Sequence, residues 1–274
     1  MPAVLGTNVA SLWASKNLQT AQSNMADSVE RLSSGLRINR AKDDAAGLGI
    51  ANALTQQING ANQGIKNLND GISIVQTTEG AIAAASEMAQ RVLTLATQGS
   101  NGSMASDQTT AIKAEMTVLL NSITSIQSRT KFSGTTLLNG AAITIQSSNV
   151  SGDTIEIDAA LALRAIGTAS LATTLSTAVT SGTFGAMISA ATTYITALDT
   201  QRAKLGALQN QMEYAVSNVT EMASNLSAAR SRVIDTDYAS ETASLTKGQI
   251  LQQAATAMLA QANQMPNVIL SLLK

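Results

Sequence analysis

Between residues 205 and 233, apolar side chains recur at alternating steps of three and four: Leu205, Leu208, Met212, Ala215, Val219, Met222, Leu226, Ala229 and Val233. Such a seam covers one stripe of a helix and demands a partner helix along its length. The same spacing appears upstream at Leu54, Ile58, Ala61, Ile65, Leu68, Ile72 and Val75. Two long seams at opposite ends of one chain set an outgoing first half beside a returning second half. The fold class this predicts is mainly α: a long antiparallel helical bundle or coiled coil, with the N- and C-terminal segments paired.

Composition narrows what covers these seams. The chain is 45% apolar, but aromatic residues are only 2% and charged residues 13%, about half the usual charged share. A core of Ala, Leu, Ile, Val and Met suits close helix–helix contact. Large faces of Ala, Ser, Thr, Asn and Gln can be buried against copies of themselves with little desolvation of charge. The plainer alternative is a monomeric helical bundle with an uncharged polar surface. The net charge of −1 and the lack of a long basic block argue against nucleic acid as a partner. With no Cys and no His, disulfides, thiolate chemistry and the commonest general base and metal ligand are gone. No cofactor or metal site is expected. The start, Met1-Pro2-Ala3-Val4-Leu5-Gly6, has no basic run, so no ordinary secretory signal is expected, and no uncharged apolar run is long enough to span a bilayer.

In chain order, residues 1–40 are helical in pattern, with Leu18, Met25, Val29, Leu32 and Leu36 on one stripe. A joint follows where Ser33-Ser34-Gly35 and a dense mix of charges break that stripe. Asp43 or Asp44 can cap the next helix, a better account of paired carboxylates than acid–base chemistry without a His. Residues 45–98 read as one helix of about 54 residues, or about 80 Å. Gly47, Gly49, Gly60, Gly64, Gly71 and Gly80 lie within it, each costing roughly 1 kcal/mol relative to Ala unless close packing recovers the loss. The Gly47-Leu48-Gly49 pattern lacks the flanking strand and Lys of a phosphate loop. Gly99-Ser100-Asn101-Gly102-Ser103 is a turn, after which Ile112, Met116, Leu119, Ile123 and Ile126 mark a third bundle helix. Lys131-Phe132-Ser133-Gly134 and Asn139-Gly140 end it. One stretch alone reads as sheet, an alternating hairpin over residues 143–158 with a seven-residue loop. Residues 166–185 form a short outer connection, and the opening seam returns in a helix over 186–235. A second charged joint at residues 230–237 mirrors the first. Leu251, Ala255, Met258, Ala262, Met265, Ile269 and Leu272 form a last stripe, interrupted near Pro266. The domains expected are therefore residues 1–43 with 236–274, a terminal coiled coil, and residues 44–235, a central bundle carrying the hairpin.

Several stretches together resemble bacterial flagellin. They are Glu30-Arg31-Leu32-Ser33-Ser34-Gly35-Leu36-Arg37-Ile38-Asn39, Ala41-Lys42-Asp43-Asp44-Ala45-Ala46-Gly47 and Gln76-Thr77-Thr78-Glu79-Gly80-Ala81. Toward the C-terminus, Ala229-Arg230-Ser231-Arg232, Gln249-Ile250-Leu251-Gln252-Gln253-Ala254 and Ala260-Gln261-Ala262-Asn263-Gln264 do the same. The resemblance covers about residues 1–165 and 186–274. It implies a structural subunit that polymerises into the flagellar filament for motility, in a short form with only the inner and central layers. It also implies export unfolded through the flagellar type III route to the cell exterior. The implied partners are further copies, an export chaperone, a filament cap and hook–filament junction proteins. The terminal stripes, Leu18, Met25, Val29, Leu32, Leu36, Leu251, Met258, Met265, Ile269 and Leu272, are the implied assembly seams.

A receptor contact is implied as well. The innate Toll-like receptor that senses this family reads a Gln-Arg-Val-x-x-Leu-Ala motif and a Glu on the next helix. These correspond to Gln90, Arg91, Val92, Leu95, Ala96 and Glu115, while Leu93 and Thr94 stand where many flagellins carry a charged pair. Three rival readings fit less well. A hook–filament junction protein shares the terminal pattern but typically has weaker central motifs, and a translocator needs an apolar membrane segment. An enzyme needs a convergent set of reactive side chains, and none stands out.

Overall fold

A computed structural model of the chain describes residues 8–138, 142–157, 177 and 183–272, with side chains in the last helix described through Gln264. The elements are α1 (Val9–Ser34), α2 (Ala45–Gly99), α3 (Ser106–Arg129), β1 (Lys131–Phe132), β2 (Thr135–Thr136), β3 (Ile143–Gln146), β4 (Thr154–Ile157), α4 (Phe184–Ile234) and α5 (Tyr238–Leu272). The mainly helical fold expected from the seams is the one observed. Contacts divide the chain into residues 1–55 with 226–274, and residues 56–225. Most of the expected outer connection, residues 166–185, lies outside the described residues. So do Asp158 at the end of the hairpin, Asn139-Gly140, and the side chains of Met265, Ile269 and Leu272. The backbone of α5 runs through Pro266, where an interruption was expected. The missing N–H forfeits one ladder bond there without ending the helix.

In the unit of residues 56–225, α2 and α4 run antiparallel. A methyl placed at Gly71 would lie 3.1 Å from Met212 Sδ, Glu79 meets Arg202 at 3.7 Å, and Gly99 lies against Phe184. Between these contacts α2 and α4 advance in step, so the pair does not slip. The core gathers Leu68, Val75, Ile82 and Ala85 with Leu198, Leu205 and Met212. A second cluster joins Val92, Leu95 and Ala96 of α2 to Ile112, Met116 and Leu120 of α3 and Met187 and Ala191 of α4. Further along α4, Met222 is exposed and Ala223 is buried in its place. A straight helix of 3.6 residues per turn drifts off a 3.5-residue repeat in this way. Two polar groups interrupt the α4 stripe. Tyr194 is buried with its hydroxyl unpaired and its ionisation pushed up by burial, and the buried Gln201 Oε1 also has no partner.

The hairpin pairs Ile143 with Ile157 and Gln146 with Thr154, in the register the alternation predicts. A second, smaller hairpin pairs Lys131 with Thr136 around Ser133 and Gly134 (φ 48° and 84°). Two left-handed residues in succession make the tight turn that two-residue hairpins favour. Strands of two residues are too short to show a period, and in sequence this stretch reads only as a helix end. The larger hairpin lies along the glycine face of α2. Gly60 faces Asn149, Gly64 faces the Ser147 carbonyl, Asn67 Nδ2 donates to Gln146 O at 3.0 Å, and Gly71 faces Ile145. The helix accepts glycine's entropic cost because only hydrogen at Cα admits the hairpin backbone.

In the unit of residues 1–55 with 226–274, Gly35 ends α1 in the left-handed conformation (φ 73°), its N–H donating to Arg31 O. The chain then pairs with the α4–α5 joint. Arg37 N donates to Ile234 O at 2.6 Å, Thr236 N donates to Gly35 O at 3.0 Å, and the Arg37 guanidinium donates to Val233 O at 2.6 Å. Ile38, Ala51 and Ile234 fill a small core beneath this bridge. Asp44 caps α2 by accepting from Gly47 N at 2.8 Å. Asp43 accepts from Arg40 N and Asn39 N, and these bonds, Arg40's first, hold its carboxyl below the usual range.

The glycine face of α2 is tested by two opposite substitutions. Gly64→Ala should lower stability by roughly 1–3 kcal/mol, because its methyl collides with backbone rather than a yielding side chain. Gly80→Ala, with nothing within 4 Å of the new methyl, should raise stability by up to about 1 kcal/mol. Urea unfolding followed by circular dichroism measures both; shifts of the same sign would contradict the hairpin's seat on α2.

Candidate assembly surface

The terminal helices α1 and α5 pack antiparallel along their smallest residues. Asn8 Nδ2 donates to Ala262 O at 2.7 Å, Ser11 Oγ bonds Asn263 Oδ1 at 3.0 Å, and Arg31 meets Glu241 at 3.7 Å. Ala14, Ala21 and Ser28 are buried on α1, and Gly248 and Ala262 on α5, with Ala255 half-buried between them. Each set recurs at sevens. A methyl at Gly248 would already lie 3.4 Å from Met25 Cβ, which shows how near the helices come. Leu18, Met25 and Leu32 flank this line half-buried, and so do Leu245 and Leu259.

The larger apolar residues consequently face outward. Trp13 is 62% exposed and Met258 65%, and Val29, Ile250 and Leu251 are also exposed. The α5 stripe named from sequence therefore divides: Ala255 and Ala262 face α1, whereas Leu251 and Met258 do not. Val29 likewise lies off the α1–α5 seam, and Leu36 packs at the joint with Ile38 and Ile234. Val9, Trp13, Leu251 and Met258 line an open groove of about 720 Å³, floored by Ala14, Ala21 and Ala255. The Lys16 ammonium sits 5.8 Å from the Trp13 ring centroid, at the limit of a cation–π contact. The stripe legible in sequence leaves out Trp13, which lies off its period, and the Ala14–Ala21–Ser28 line, whose sevenfold spacing is carried by side chains of little hydrophobicity.

The six receptor-motif residues do not form one surface. Gln90, Arg91 and Glu115 are exposed, whereas Val92, Leu95 and Ala96 lie in the core between α2, α3 and α4. Those three side chains are not available for contact in this fold. Arg91 donates to Glu115 Oε1 through Nε at 3.0 Å and a terminal nitrogen at 2.8 Å, so the two exposed charges satisfy each other across α2 and α3. An exposed pair of this kind contributes about 0–1 kcal/mol. Among the described residues no group of His, Cys, Asp and Glu could hold a metal ion, and no helix is long and apolar enough to cross a membrane.

A helical chain whose terminal unit keeps its smallest residues inside and its largest apolar ones outside defines a subunit of an assembly. The comparisons with known proteins say which. Residues 5–143 match the bacterial flagellin N-terminal helical region and residues 188–273 the bacterial flagellin C-terminal helical region. A flagellin of Halalkalibacterium halodurans is 38% identical over 275 residues, covering 99% of this chain and 100% of that one. A flagellin of Bacillus subtilis is 35% identical, covering 97% and 98%. The flagellar filament 33 kDa core protein of Treponema phagedenis is 35% identical, covering 99% and 100%. A crystal structure of Bacillus cereus flagellin matches at 29% identity and a TM-score of 0.48, over 60% of this chain and 94% of that chain. The chain belongs to the bacterial flagellin family. It is a structural subunit that polymerises into the flagellar filament, and not an enzyme.

The motif's division into core and surface predicts divergent substitutions. Val92→Ala should cost about 1–3 kcal/mol of stability by leaving a cavity in a fully buried site. Arg91→Ala should change stability by less than about 1 kcal/mol. Thermal unfolding compares them; an equal loss from both would mean that the ion pair, not the core, holds α2 to α3.

Proposed function

We propose that copies associate through the apolar stripe that α1 and α5 leave uncovered, so that residues 1–43 and 236–274 build the inner wall of the filament. Residues 44–235 then form its outer layer. The observation that carries this reading is the outward groove of Val9, Trp13, Leu251 and Met258. Fully covering a large apolar side chain contributes roughly 1.5–3 kcal/mol. A single contact of a few such residues hardly exceeds the roughly 4–15 kcal/mol cost of association. Repetition between each copy and several neighbours does, which favours a polymer over a dimer. Before assembly the same stripe needs cover, the physical reason for an export chaperone. The filament cap and hook–filament junction proteins engage copies at the two ends, and the assembled chain lies outside the cell.

Electron microscopy of the purified chain, seeded or salted out, tests the stripe. The unaltered chain should form long tubes, while residues 44–235 alone form none. The double variant Leu251→Glu, Met258→Glu should remain helical by circular dichroism yet fail to elongate. Long tubes from that variant would sink the reading.

For the Toll-like receptor, the reading narrows to Gln90, Arg91 and Glu115 as contacts, with Val92, Leu95 and Ala96 shaping the helix that presents them. A receptor-reporter assay on the monomer should respond to the unaltered chain and several-fold less to Arg91→Ala. No response from the unaltered chain would remove the receptor from its partners, and Leu93 and Thr94 would then be the residues to replace with a charged pair.

A further inference from the structure

Asn-Gly pairs occur at Asn59-Gly60, Asn101-Gly102 and Asn139-Gly140, and the last lies outside the described residues. In such a pair the glycine peptide nitrogen can attack the asparagine side-chain carbonyl, since no Cβ shields the approach. The fold treats the two described pairs differently. Asn59-Gly60 sits within α2, where the Gly60 N–H belongs to the helical ladder and Gly60 is covered by Asn149. Asn101-Gly102 sits in the exposed turn between α2 and α3, where Met104 N donates to Asn101 O at 3.2 Å. The Asn101 side chain folds back along the turn, its Oδ1 accepting from Ser103 N at 3.2 Å and Ser103 Oγ at 3.0 Å. Nothing lies within 4 Å of a Cβ built on Gly102, and among the described residues its N–H donates to no other group.

We propose that Asn101 is a self-modification site, at which the folded chain deamidates to aspartate and isoaspartate. The Gly102 nitrogen loses its proton and forms a bond to Asn101 Cγ. The two Ser103 donors stabilise the charge gathering on Oδ1, as an oxyanion hole does. The Cγ–Nδ2 bond then breaks and ammonia leaves, giving a cyclic imide. Water adds to either imide carbonyl and opens the ring, to aspartate or to isoaspartate. No oxidant, metal or second protein is required. Each event adds one negative charge to a chain whose formal net charge is −1, and the isoaspartate product also adds a methylene to the turn's backbone. Asn59 must wait for α2 to open locally, and that opening is rare in a packed helix.

The test is peptide mapping by mass spectrometry, with isoaspartate-specific methyl labelling, during incubation of the full folded chain at mildly alkaline pH. Asn101 should convert roughly tenfold or more faster than Asn59, a gap set by how seldom α2 opens. In urea the gap should close, because both pairs are then flexible Asn-Gly sequences. Ser103→Ala should slow Asn101 in the folded chain and leave its rate in urea unchanged. Equal rates at Asn101 and Asn59 in the folded chain, or faster conversion of Asn101 in urea than in the fold, would overturn the proposal. A Ser103→Ala chain that converts at the unaltered rate when folded would remove the hydroxyl from the mechanism.

Discussion

How closely two helix backbones can approach is set by the side chains between them, and along α1 and α5 those are Ala, Ser and Gly. Small residues at every seventh position let the helices approach closely, so the seam gains many contacts while burying little apolar area per residue. The bulky residues are then left on the outer flanks. A seam built of Leu and Met would have inverted this, holding the pair firmly and leaving a polar exterior with nothing to drive assembly. The terminal unit is therefore weakly completed by itself, in keeping with a polymerising subunit whose last hydrophobic gain comes from its neighbours.

The central unit solves the same packing problem with large residues. Leu68, Val75, Ile82, Leu198, Leu205 and Met212 are fully buried, and three of the α2 glycines, Gly60, Gly64 and Gly71, lie beneath the hairpin, where Gly64 admits the Ser147 carbonyl. Tyr194 and Gln201 interrupt the α4 stripe at a cost, since each leaves a polar atom without a partner.

The long helices were legible because seams such as Leu54–Val75 and Leu205–Met212 hold their period over many turns, and their breaks coincide with Gly35, Asp44 and the turn at Asn101. The hairpin was legible from alternation alone. What escaped were features without period or without bulk. The two-residue strands at Lys131 and Thr135 are too short to alternate. The Ala14–Ala21–Ser28 line has period but little hydrophobicity, whereas Leu251 and Met258 are conspicuous in sequence and lie on the side of α5 turned away from α1. The motif from Gln90 to Ala96 shows a further limit. A linear motif lists residues that lie together in sequence, whereas a helix turns Val92, Leu95 and Ala96 inward and leaves Gln90 and Arg91 outside.

Low charge has a structural counterpart on the exposed helix faces. The hydroxyls of Thr192, Thr193, Thr196 and Thr200 each donate to the carbonyl four residues back, so this side of α4 satisfies its own polar groups and offers methyls outward. Covering such a face strips little from water, whereas covering an unpaired Lys or Glu would be costly. Some of the charges that remain pair within each unit: Glu30 with Arg40, Arg31 with Glu241, Lys42 with Asp27, Glu79 with Arg202, and Arg91 with Glu115. Exposed pairs of this kind add little stability. With 17 basic and 18 acidic residues the chain's formal net charge is only −1, so identical copies meet without a large charge of one sign. In an assembly where every subunit presents the same faces to every neighbour, that neutrality removes a repulsion that would otherwise recur at each added copy.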